Sequence, residues 1–170
     1  LPNGKILRVL PDGKIPADNP FANRPDALAA VWSHGHRNPQ GLVVDPRDHA
    51  IYETEHGPRG GDEFNRILKG ANFGWPVTCL GMNYDGTPLT ALTEKEAIEP
   101  QKWRSAAIED FAFYDGEKFP GWKNDFFIGG LRGALHRLRL RDGKVLEDEV
   151  VLEGVGRVRD VRSGPDGFIY

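Results

Sequence analysis

Two turn-rich stretches concentrate side chains that could do chemistry: His34-Gly-His36-Arg37-Asn38-Pro-Gln-Gly41, and Glu53-Thr-Glu55-His56-Gly57-Pro58-Arg59-Gly60-Gly61-Asp62-Glu63. They hold three of the five histidines. His34 and His36, two apart, share one side of an extended strand, with His56 or Glu55 as a third donor for zinc or copper. With no Cys cluster and no His-Glu-x-x-His helix, that signal is weak. In the second stretch, Pro58 lacks an amide proton and its glycine neighbours permit unusual dihedrals, so successive carbonyls can converge on one point. Carbonyls with Asp62 or Glu63 are hard oxygen donors of the kind Ca²⁺ prefers, and a Gly-rich hairpin with solvated carboxylates is the plain alternative.

A third group is Arg157-Val158-Arg159-Asp160. On a strand the two guanidinium groups project to one side, making a site for a ligand rich in carboxylates, and Arg37 with Asn38 would add a cation and a neutral donor. The competing arrangement pairs these arginines with Asp160 and other acids in a solvated network.

Short strands must position these groups. Lys5–Lys14 (KILRVLPDGK) and Leu135–Lys144 (LHRLRLRDGK) both alternate apolar and polar residues and then turn at Asp-Gly. Gly41–Tyr52 and Arg159–Tyr170 form a looser pair, each a strand, a Pro-containing turn and a strand ending in Ile-Tyr. Glu63–Leu68, Phe111–Tyr114 and Asp125–Leu131 read as further strands, with Phe126 and Phe127 buried. Ala91–Ile98 is the best helix candidate, about two turns within a loop. Trp75, Trp103 and Trp122 read as blade-packing residues, and His34 and His49 as structural or surface residues.

Strands recurring at this spacing predict an all-β fold of radially repeated antiparallel sheets, a β-propeller. A blade needs about 40–45 residues, so the chain covers about three to four, within a single partial propeller domain spanning residues 1–170. A complete small β-sandwich is the alternative. With 39% hydrophobic and 28% charged residues and a formal charge of −3, nothing in the composition calls for nucleic acid or an anionic membrane. No apolar run approaches the roughly 20 residues of a membrane span. Cys79 is the only cysteine, so no internal disulfide forms.

Five phrases carry a resemblance: GHRNPQGL (35–42), EHGPRGGDE (55–63), NFGWP (72–76), FYDGEKFPGWKNDFFIGGL (113–131) and RVRDVRSGPDG (157–167). In this order the chain resembles the pyrroloquinoline quinone (PQQ) dependent soluble glucose and sorbosone dehydrogenases, including the aldose sugar dehydrogenases. The resemblance implies a six-bladed β-propeller of the soluble quinoprotein glucose dehydrogenase type, with PQQ near the axis. It implies that Arg37 and Asn38 contact the quinone side, with Arg37 assisting the reaction electrophilically. His56 hydrogen-bonds the cofactor, and the main-chain oxygens of Gly57 and Pro58 hold Ca²⁺ with Asp62 close by. Arg157 and Arg159 grip the cofactor carboxylates, and Arg132 adds a cation where relatives often have Lys.

The implied activity is oxidation of an aldose at its anomeric hydroxyl, with electrons passing to an external acceptor. The implied location is the periplasm or outside the cell. In family order the histidine base lies upstream of these motifs, so this segment alone is expected to be inactive. Glu109-Asp110 departs from the small residues relatives carry there. Facing PQQ, each carboxylate would repel it by roughly 4 kcal/mol per close pair at an effective dielectric near 20. A non-catalytic recognition propeller and a Ca²⁺-dependent lactonase are the competing functions.

Overall fold

The alternation in Leu135–Arg141 becomes β9 (Ala134–Arg141), whose even-numbered residues are buried while the odd-numbered ones mostly are not. At its end Asp142 and Gly143 adopt φ of 51° and 72°. Positive values at both central residues make the tight turn that matches strand twist, and β10 (Lys144–Glu153) folds straight back. The computed structural model describes residues 1–87 and 107–170, and the main chain alone of 102–104. Ala91–Ile98 and the side chain of Trp103 lie outside the described residues.

Two four-stranded antiparallel sheets carry the fold. The first runs β3 (Pro39–Val44), β4 (Ile51–Glu55), β5 (Asp62–Ile67) and β6 (Lys102–Arg104), each strand beside the one before it. The second runs β7 (Ile108–Phe113), β8 (Phe126–Gly130), β9 and β10 in the same manner. Each is a meander of the kind that makes a propeller blade. A two-stranded sheet of β1 (Lys5–Leu7) and β2 (Val31–His34) flanks them. At the other end, Arg162 and Tyr170 exchange main-chain hydrogen bonds around a Ser163–Ile169 bridge. The expected 159–170 hairpin is present only from Arg162 onward, closed by that isolated bridge, and residues 157–162 are not strand. The Lys5–Lys14 turn also forms, with the Leu10 amide on the Lys14 carbonyl at 2.8 Å, but β1 takes β2 as its sheet partner.

Period-two alternation on β7 and β8 sends adjacent residues to opposite faces. Phe111, Phe126 and Ile128 pack with Tyr52 and Phe64 of the first sheet. Tyr52 and Phe64 stack at 5.3 Å, and Phe64 meets Phe111 edge-on at 5.6 Å. On the other face, Ala112, Tyr114 and Phe127 pack against Val161 of the C-terminal segment, with Trp122 and Phe119 around them. Burying each such aromatic stabilises the fold by roughly 1.5–3 kcal/mol. The second sheet is thus covered on both faces, as a blade between neighbours must be. Among the described residues, no helix is long and apolar enough to cross a membrane.

Candidate functional site

Strand register gathers the motifs at one rim. Pro39 pairs with Glu55 and Glu55 with Glu63, so the segment before β3 and the β4–β5 loop lie at the same end of the first sheet. Ile108 pairs with Gly130, and Gly130 with Ala134, which puts the start of β7 and the β8–β9 turn at one end of the second. Asp62 joins the two rims. One of its oxygens accepts the Gly57 amide at 3.1 Å, and the other accepts the Ala107 amide at 2.7 Å.

Arg37 is the most constrained member of the group. Its guanidinium donates to the His56 carbonyl at 2.8 Å and to the Tyr84 hydroxyl at 3.2 Å, and it lies over the Trp75 ring at 5.4 Å. Its main-chain amide and that of Asn38 both donate to Oε2 of Glu55, at 2.6 and 3.1 Å. Glu55 is buried, whereas the Asn38 side chain is exposed beside the loop. Trp75, expected only to pack, therefore also supports a site cation.

His56 lies between two carboxylates, with Nδ1 3.7 Å from Asp62 and Nε2 3.3 Å from Glu109. Asp62, and after it Glu109, raise the imidazole above its usual pKa despite partial burial. The Gly57 and Pro58 carbonyls accept no hydrogen bond among the described residues. A Cβ on Gly57 would come within 2.3 Å of the Gly60 and Gly61 carbonyl oxygens, so the loop closes tightly on itself.

Arg132 is exposed in the β8–β9 turn. Arg157 and Arg159 flank Val158, whose amide donates to the Gly130 carbonyl at 3.2 Å, so they run beside the rim end of β8. Both are exposed, and among the described residues neither makes an ion pair or hydrogen bond. Asp160 pairs with Arg162 instead, at 2.9 Å. Arg162 also takes Asp110 at 2.6 Å, which turns that carboxylate toward the C-terminal segment. Arg162 was not singled out in the sequence. Its place three residues beyond Arg159 brings it beside Asp110 of β7.

The His34–His36 pair does not form as expected. β2 ends at His34, and Gly35 takes φ 78°, a conformation open to glycine. A Cβ there would meet Asn72 Oδ1 at 2.2 Å and the Gly74 amide nitrogen at 2.6 Å, so the NFGWP segment docks on the glycine. The kink leaves His34 beside Phe21 and buries His36 against Phe73. His36 does reach Glu55, with Nδ1 3.4 Å from Oε1, while His56 belongs to the Asp62–Glu109 pair.

The meander sheets and this rim define the chain as part of a β-propeller. Residues 2–170 match the Glucose / Sorbosone dehydrogenase family, and the chain belongs to it. It is 42% identical over 177 residues to aldose sugar dehydrogenase YliI of Escherichia coli (strain K12), covering 98% of this chain and 47% of that protein. The crystal structure of the soluble aldose sugar dehydrogenase from Escherichia coli in the apo form superposes with a TM-score of 0.92. It is 40% identical and covers 98% of this chain and 50% of its own. The PQQ-bound form of aldose sugar dehydrogenase from Streptomyces coelicolor gives 0.70 at 31% identity, covering 93% and 42%. The chain thus spans about half the length of these relatives.

Proposed function

We propose that the intact protein oxidises the anomeric hydroxyl of aldose sugars to lactones, and that this chain supplies much of the cofactor-binding rim. The observation that carries this reading is Arg37, clamped between the His56 carbonyl and the Trp75 face, on the same rim as Arg157 and Arg159, which are unpaired among the described residues. A flat ligand with several carboxylates needs cations that the protein has not already neutralised. The donor set fits PQQ. It also fits Ca²⁺, because two carbonyls that accept no hydrogen bond among the described residues belong to a closed loop held by Asp62.

In this reading Arg157 and Arg159 hold cofactor carboxylates, and Arg132 adds positive charge at the rim. The carbonyls of Gly57 and Pro58 hold Ca²⁺, while Asp62 fixes the loop through the Gly57 amide. His56 hydrogen-bonds the cofactor, and Asn38 presents a neutral donor beside Arg37. When bound, PQQ supplies a quinone that accepts hydride and passes electrons to an external acceptor, with Ca²⁺ acting as a Lewis acid. Arg37 stabilises the negative charge that develops at the reacting oxygen. The histidine that removes the hydroxyl proton is assigned to a region upstream of these motifs. Export to the periplasm or beyond goes with the same reading.

Glu109 and Asp110 bear on the competing recognition-module reading. Asp110 is paired with Arg162 and Glu109 with His56, so neither stands as a bare charge. The test is to reconstitute the intact protein with PQQ and Ca²⁺ and to follow both the cofactor spectrum and dye reduction with glucose. Cofactor uptake with turnover is expected; absence of both defeats the proposal.

A further inference from the structure

Behind the rim, β4 and β5 bury polar groups where a sheet ordinarily buries apolar ones. Glu53 lies opposite Asn65 and Glu55 opposite Glu63, so all four share one face. The Asn65 side-chain amide faces Glu53 Oε2 at 3.1 Å, Glu55 Oε1 at 3.2 Å and Glu63 Oε2 at 3.0 Å. An amide has two protons, and three carboxylates compete for them. His36 closes the group from the segment before β3. Its ring stacks on Phe73 at 4.6 Å and its Nε2 meets Ser33 Oγ at 2.9 Å, which leaves Nδ1 turned toward Glu55.

Among the described residues, three atoms here lack hydrogen-bond partners: His36 Nδ1, Glu53 Oε1 and Asn65 Oδ1. Their residues are only 1%, 0% and 0% exposed. Among the described residues, neither Glu53 nor Glu55 has a Lys or Arg at ion-pair distance. Buried carboxylates this close cannot all stay charged without a cation. Burial, then the charge of Glu55, push the Glu53 carboxyl well above its usual value.

A cation is the other way to neutralise the group, and the donors say which kind. Ca²⁺ and Mg²⁺ take oxygen ligands, whereas an imidazole nitrogen with two carboxylates suits zinc and its first-row neighbours. Donor atoms of His36, Glu53 and Glu55 lie within 4.8 Å of one another. Tetrahedral zinc with bonds of about 2.1 Å holds its donors about 3.4 Å apart. His36 Nδ1 and Glu55 Oε1 already stand at 3.4 Å. A Glu53 carboxylate oxygen lies within 4.8 Å of the other two donors and would draw closer to complete the set.

We propose that His36 Nδ1, Glu53 and Glu55 form a buried site for a divalent transition metal of the zinc class, separate from the carbonyl loop at Gly57 and Pro58. Glu55 would then serve two centres, one oxygen on the metal and the other on the amides of Arg37 and Asn38. The inference stands on the cluster alone and does not depend on the sugar-oxidation reading.

The test strips the intact protein with a chelator and titrates it with Co²⁺ and then Zn²⁺ in excess Ca²⁺, which occupies oxygen-only sites. One equivalent per chain with tetrahedral Co²⁺ absorption is expected, and affinity should fall at least about tenfold in Glu53→Gln and in His36→Gln. X-ray absorption of the wild-type zinc complex should show nitrogen and oxygen donors and no sulfur, which excludes Cys79 even if a variant misfolds. A folded wild-type chain that takes up neither metal overturns the proposal and leaves protons as the neutralising cations. A sulfur donor, or affinity unchanged in both folded variants, overturns it as well.

Discussion

One oxygen of Glu55 accepts the main-chain amides of both Arg37 and Asn38, at 2.6 and 3.1 Å. The carboxylate thereby fixes the chain direction just before β3, and with it the aim of the Arg37 side chain. Glu55→Ala leaves two amides without their acceptor in a partly buried setting. We expect a stability loss of about 3 kcal/mol in urea unfolding and weaker PQQ uptake by the intact protein.

Arg157 and Arg159 give the opposite signature. Both are exposed and unpaired among the described residues, so their replacement by Ala should change stability by no more than about 0.5 kcal/mol. Each loses a charge-assisted contact worth roughly 1.5–3 kcal/mol, so PQQ affinity should fall about 10- to 100-fold in spectral titration.

Gly41 marks where the two sheets touch. A Cβ there would stand 2.6 Å from Phe111 Cδ1, 2.7 Å from Asp110 Oδ1 and 2.9 Å from Thr54 Oγ1. Gly41→Ala should cost about 1–3 kcal/mol by overpacking, seen as a lower Tm.

At the opposite rim, Arg47 grips Asp45 through both carboxylate oxygens, at 2.6–3.1 Å. Burial alone would raise the Asp45 carboxyl, but side-chain and main-chain hydrogen bonds from Arg47, with its charge, outweigh that and hold it below 3.8. A depressed folded-state value means the contribution is present above pH 3.8 and lost as pH falls below it. Stability measured from neutral to strongly acid pH should therefore fall more steeply below pH 3.8 in the wild type than in Asp45→Asn.

The strands were readable because their signals are local. Asp142-Gly143 specifies its turn by backbone preference, and the alternation through Leu135–Arg141 specifies which residues face inward. The rim motifs were readable by resemblance, and strand register then brings their residues to one end of the two sheets. What escaped the sequence depends on distant partners. Gly35 breaks the His34–His36 strand because NFGWP, more than 35 positions on, packs into the space a side chain would need. The direction of Asp110 is set by Arg162 across a later segment. The buried acids had a faint signal: Glu53, Glu55, Glu63 and Asn65 fall on alternate positions that a strand turns to one face.

Asp62 ties the Gly57 amide in one blade to the Ala107 amide at the entry of the next. A single carboxylate thus acts as a rivet between neighbouring sectors of the wheel. Slippage between the sheets would drag the proposed calcium loop with it, so the grip on the ion and the seating of adjacent blades are mechanically one adjustment.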